Sequence, residues 1–167
     1  MSANKYAPHI HVLPEDDANR QIANGFWLDE FLASRRLHVL EEAGGWHQAV
    51  ERFLNVYARQ MELTPTRVMV LLLDCDKHPE RPEQVRDRIP THLRDRVFIL
   101  GVLSEPEALK SELGSFESIG LSIARGCREG STAFWEHPLL RHNGAEINRL
   151  NKIARPILFP FAPERAN

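Results

Sequence analysis

The chain has 167 residues, 43% hydrophobic and 26% charged, with 21 basic against 23 acidic side chains and a formal net charge of -2. That length fits a single domain, and the composition excludes wholesale disorder, collagen-like repeats and coiled-coil rods. The charge lacks the basic excess of a stand-alone binder of naked DNA, and the two cysteines, Cys75 and Cys127, make no disulfide framework and read as reduced thiols.

No apolar run approaches the roughly 20 residues needed to span a bilayer. The opening MSANKYAPHIHV has no basic stretch followed by an apolar one, so a cytoplasmic protein without membrane contact is expected. His9 to Leu13 (HIHVL) is a β-prone run. Asp16, Asp17 and Asn19 then offer caps for a helix to about Leu32. Arg36 to Leu40 (RLHVL) is a second strand, and Gly44-Gly45 breaks the chain before a helix from about Trp46 to Met61. Its Val50, Phe53, Leu54, Tyr57 and Met61 recur at spacings of three and four, which marks a core stripe.

Arg67 to Leu73 (RVMVLLL) is apolar on both faces, as a central strand covered by helices would be. A polar, proline-containing loop and a short helix near Pro82 to Ile89 precede a fourth strand, Val97 to Leu103 (VFILGVL). Ser104 and Glu107 form a capping-box pattern for the next helix, with Pro106 at a tolerated early position. Phe116 to Cys127 and Gly144 to Ile153 read as further helices. Pro156 to Phe161 (PILFPF) reads as an edge strand or a docked tail. Strands alternating with helices imply an α/β, Rossmann-like domain: a mostly parallel sheet of four to five strands with helices on both faces.

In such sheets, sites form outside the carboxyl ends of the strands. Three of those ends are acidic here: Glu15, Asp16 and Asp17; Asp74 and Asp76; Glu105 and Glu107. Converging carboxylates repel one another, and a hard divalent cation relieves them. Mg²⁺ typically takes one or two carboxylates plus waters and substrate phosphates. The DxD spacing puts residues i and i+2 on one side of an extended chain. Read alone, each acid is equally well a helix cap, and Glu107 fits that role fully.

A glutamate after the first strand (HVLPEDDAN, Glu15), a glycine after the second (EEAGGW, Gly44 or Gly45) and DxD after a buried third strand (VLLLDCD, Asp74 and Asp76) together resemble the Toprim domain of primases, topoisomerases and nucleases. LSEPEALKSEL is similar to the segment after strand four in the nuclease branch, the overcoming-lysogenization-defect type. The resemblance covers about residues 9–113, with a helical extension over about 114–167. The chain departs from the family at Asp16, where a glycine is usual, and at Asn19, where an aspartate is usual.

The resemblance implies Mg²⁺- or Mn²⁺-dependent phosphoryl transfer on nucleic acid, DNA ahead of RNA, with Glu15, Asp74 and Asp76 as catalytic and metal-holding residues. It further implies Glu105 or Glu107 for a second ion, Lys77 and Lys110 as phosphate contacts, and an ATPase partner of a phage-defence system or a second copy of the chain. Two other readings compete. One is a non-catalytic interaction subunit that keeps the fold. The other is a receiver-like phosphoacceptor module, which requires a fifth strand followed by Lys.

The eight histidines show no zinc spacing. His9, His11 and His38 read as satisfied polar groups at a sheet margin. Cys75, flanked by two carboxylates, reads as a poor nucleophile. Trp135, Leu139, Leu140 and PILFPF are expected to offer apolar area to a partner.

Overall fold

A computed structural model describes residues 6–164. Residues 1–5 of the N-terminal segment and the last three residues of the expected extension lie outside the described residues. Four strands, β1 (His9–Pro14), β2 (Leu37–Val39), β3 (Arg67–Leu72) and β4 (Val97–Leu100), form one parallel sheet in the order β2-β1-β3-β4. The α/β fold with helices on both faces is the expected one.

The side-chain alternation of the strands sorts the core into two layers. Ile10, Val12, Val68, Val70, Phe98 and Leu100 face α1 (Asp17–Asn24), α6 (Phe116–Glu129) and α7 (Gly144–Leu158). Leu13, Met69, Leu71, Val97 and Ile99 face α2 (Trp46–Arg52), α3 (Ala58–Leu63) and α4 (Arg81–Arg88). Helices on both sides explain why β3 is apolar throughout its centre. The helix read as continuous from Trp46 is interrupted by a π-helical turn at Phe53–Tyr57. Phe53 is nonetheless fully buried, with Leu54 and Tyr57 packed against the same layer.

β1 leads outward to β2, and the chain then crosses back to place β3 on the other side of β1. The gap between the carboxyl ends of β1 and β3 is therefore a topological switch point, the usual ligand crevice of open α/β sheets. The ladder outlasts the regular strands: Glu15 N–H donates to the Leu72 carbonyl (2.9 Å), and Cys75 N–H donates to that of Val102 (3.0 Å).

Beyond β4 the sheet ends; among the described residues there is no fifth strand. Pro156–Leu158 closes α7 instead, with Pro156 inside its last turn. Proline there forfeits one helical hydrogen bond, and the burial of Ile157, Leu158 and Phe159 offsets the loss. Trp135, Leu140 and this tail thus fill the chain's own core, and only Phe161 of PILFPF is a large exposed apolar residue. The expected apolar partner surface is therefore not present in that form.

The free edge of β4 is met by side chains. Arg149 donates to the Val97 carbonyl (2.9 Å), Glu146 accepts from Ile99 N–H (3.2 Å), and Asn143 accepts from Gly101 N–H (3.2 Å) and donates to the Gly101 carbonyl (2.8 Å). Gly101 is fixed by close approach, since a Cβ there would lie 1.6 Å from the Leu73 carbonyl oxygen.

The amino end of the sheet buries histidines more deeply than a margin would. His9 Nδ1 bonds the Ala7 carbonyl (2.8 Å), and its Nε2 accepts from Arg67 Nε (3.0 Å). His11 lies between His9 and His38, with ring centroids at 5.2 and 5.3 Å. Both His11 ring nitrogens are buried without a protein partner, so the expectation that these histidines are satisfied holds for His9 and fails for His11. Among the described residues no helix is long and apolar enough to cross a membrane.

Candidate metal centre at the carboxyl end of the sheet

The switch point is built from two strand ends and one helix start. β1 delivers Glu15 and β3 delivers Asp74, both buried. Glu15 is anchored at both its backbone and its carboxylate. Its carbonyl accepts from the N–H groups of Gly44 (2.8 Å) and Gly45 (3.2 Å). Gly44 has φ +93°, a conformation that a side chain would strain. The Glu15 carboxylate accepts from Asp74 N–H at 2.7 Å.

Asp16 ends the extended segment and caps α1, accepting from Asn19 N–H (2.9 Å). Capping fixes Asn19 on the first turn, where its side-chain amide donates to both Asp16 Oδ1 and Asp74 Oδ1, each at 3.0 Å. Asn19, which the sequence offers as a helix cap and as a departure from a pattern, is instead the polar link between the two strand ends, and Asp16 is the cap.

Burial dominates the electrostatics. It pushes Asp74 up to about 8, with Asn19 opposing and Glu15, Asp16 and Asp76 adding to the rise. Burial likewise raises Glu15, while the Asp74 N–H opposes. Burial thus favours the protonated form of both carboxyls, and a bound cation would favour the ionised form.

The second aspartate of the DxD behaves otherwise. Regular β3 ends at Leu72, so Asp76 lies past the extended chain, in the left-handed region at φ +47°. The expectation that Asp74 and Asp76 share one side of a strand therefore fails. Lys77 is also left-handed, at φ +64°. The turn is tied to the loop after β4 by Asp76 N–H to the Ser104 carbonyl (3.2 Å) and Lys77 N–H to the Leu103 carbonyl (2.7 Å). The exposed Asp76 carboxylate pairs with Arg81 Nη1 at 2.6 Å, and the same nitrogen donates to the Asp74 carbonyl at 2.6 Å. The Arg81 guanidinium lies over Trp46, 4.5 Å from the ring centroid, so this buried cation is held by charge and by ring face.

Neither Arg81 nor Trp46 is marked by any motif. The one available signal was an arginine at the start of the helix after the DxD.

Glu105 and Glu107 make no hydrogen bond or ion pair with Glu15, Asp74 or Asp76. α5 (Pro106–Leu113) starts one residue later than the capping box required. Glu105 is its N-cap residue, in extended backbone, but makes no side-chain cap bond, and Pro106 follows at the first helical position. Ser104 Oγ is buried without a partner. Glu105, Glu107, Lys77 and Lys110 are all exposed; Lys110 lies 5.1 Å from the Phe116 ring. Among the described residues no three His, Cys, Asp or Glu side chains are gathered closely enough to hold a metal ion.

Cys75 is buried, its thiol pushed up to about 11 chiefly by that burial. His142 Nε2 stands 3.7 Å from its sulfur. A thiol so held is a packing group rather than a nucleophile.

Compared with protein-family models, with curated proteins and with solved structures, the chain finds no match in any of the three.

Proposed function

We propose that the switch point between β1 and β3 is a divalent-cation site for phosphoryl transfer on nucleic acid, of the Toprim type that the sequence resembles. The observation that carries the reading is the Glu15–Asp74 pair: two carboxylates buried at the ligand crevice, one of them raised to about 8. The donor set suits Mg²⁺, which takes hard oxygen ligands and often only one or two carboxylates, the substrate supplying the rest. When bound, such an ion polarises a phosphoryl oxygen and lowers the pKa of an attacking water.

The chain's own groups have separable tasks. Asp74 and Glu15 would hold the ion. Asn19 and Asp74 N–H fix their orientation. Glu15, raised by burial, is the second carboxylate at the crevice and would serve as proton acceptor. Asp76 would join after leaving Arg81, and Lys77 on the exposed turn would meet phosphate. The formal charge of -2 gives little long-range attraction for nucleic acid. Recruitment by a partner, an ATPase chain or a second copy, therefore belongs to the proposal.

The Arg81–Asp76 pair supports a second reading, an interaction subunit that keeps the fold and carries its own cation in place of a metal. Cleavage of DNA and RNA, each single- and double-stranded, with Mg²⁺ or Mn²⁺ decides between them. It is run with the purified chain, with its co-purified complex, and with Asp74→Asn in both. Metal-dependent cleavage lost in Asp74→Asn is expected. No cleavage by either preparation, together with no Mn²⁺ binding, would leave the interaction subunit.

A further inference from the structure

The layer between the sheet and α1, α6 and α7 contains a partly open cavity of about 80 Å³. All four strands contribute to its floor, including Val12, Leu37, Val70 and Leu100, and Ala23 and Ala154 are among the residues of its helical roof. Protein interiors are packed to crystal density, with few voids larger than one water. A water needs roughly 10–15 Å³ measured in this way, and two to four polar partners. This void is several times that size, and its wall is apolar apart from the half-buried Asn151. Water therefore has room but too few partners.

The wall chemistry also selects the guest. No charged side chain lines the cavity, which excludes ions, nucleotides and sugars. Small side chains in the roof leave the space that larger ones would have filled: Ala23 and Ala154 are buried at 5% and 4% exposure.

We infer that this cavity is a binding site for a small, uncharged apolar molecule, no larger than a benzene ring or a segment of three or four methylenes. Apolar cavities of about 150 Å³ stay dry and take up benzene or xenon; at about half that volume, xenon is the better-fitting probe and benzene the upper limit. The site is separate from the carboxylates but shares a helix with them. Ile22 and Ala23 of α1 line the cavity, and Asn19, one turn earlier, donates to Asp74.

The test uses the full chain with methyl-labelled Ile, Leu and Val, under xenon pressure and, separately, saturated with benzene. Methyl resonances of Ile22, Val70 and Leu100 should shift with either probe, while those of Leu13, Leu71 and Ile99 on the opposite face should not. Xenon should raise the midpoint of thermal unfolding by about 2 °C, as expected for a ligand that binds only the folded state. Ala154→Leu should fill the void and abolish both responses. If that variant does not fold, Ala23→Val should reduce them at least twofold. Shifts spread over both faces, unchanged responses in the filled variant, or no shift with either probe would overturn the inference.

Discussion

At its carboxyl end β1 delivers Glu15 beside Asp74; at its amino end it buries His9 and His11 beside His38 and Arg67. Burial drives both ends toward their neutral forms, and from there they part. The acid end is surrounded by donors: Asn19, the Asp74 N–H, and the Gly44 and Gly45 amides on the Glu15 carbonyl. The histidine end has a neighbouring cation in Arg67 and two His11 nitrogens without partners. An incoming cation would relieve the first end and aggravate the second. Strand-end burial by itself is thus no sign of a site; what distinguishes the acid end is that its buried groups gain from a ligand of the opposite charge.

The sharpest way to break that comparison is Asp74→Asn. The folded carboxyl titrates near 8 against an ordinary 3.8, so stability is fully present at low pH and is lost as pH rises through 8. The variant should be more stable than the parent by roughly 2–4 kcal/mol at pH 9, with almost no difference at pH 4. Urea denaturation at both pH values measures this. Mg²⁺ should close the gap at pH 9 by stabilising only the parent; equal stabilisation of both would remove Asp74 from the cation site.

At the other end the sign reverses. His11 is held down to about 3 by burial, with Arg67, His9 and His38 adding. Its contribution is therefore complete above pH 6.5 and is lost as pH falls from 6.5 toward 3. The parent should lose roughly 1–3 kcal/mol between pH 7 and pH 4 through this group. His11→Leu should flatten that part of the stability profile; an unchanged slope would mean the ring is hydrated and titrates normally.

A smaller effect is expected from Asn19→Ala. Removing a buried hydrogen bond to a carboxyl costs roughly 1–2 kcal/mol. Because that bond lowers Asp74, its carboxyl should titrate higher in the variant, as followed by ¹³C resonance of the side chain. Least affected should be Glu107→Gln, an exposed residue of α5, whose stability should stay within about 0.5 kcal/mol of the parent and whose Mn²⁺ affinity should not change. A clear loss of metal binding would return Glu107 to the site.

The sheet was legible because β3 and β4 are apolar runs and β1 and β2 are short β-prone runs, each bounded by polar residues, and the placement of Glu15 and Asp74 at neighbouring strand ends follows from it. The role of Asp76 was not legible. The extended-chain rule that joins residues i and i+2 stops applying where β3 stops, and the left-handed turn depends on the loop after β4. Arg81 and Asn19 enter through helix starts, which set direction in three dimensions without leaving a spacing in the sequence. PILFPF misled for a related reason. Its prolines argue correctly against a central strand, but the last turn of a helix tolerates one of them when the neighbouring apolar side chains are buried.

Asn143, Glu146 and Arg149 bear on how this molecule can meet others. An open edge strand offers its backbone as a template on which a foreign strand can be laid down, by recognition or by aggregation. Here the outward groups of Val97, Ile99 and Gly101 are already occupied by an amide, a carboxylate and a guanidinium from the C-terminal helix and the turn before it. A partner therefore cannot lengthen the sheet past β4 without first peeling those side chains away.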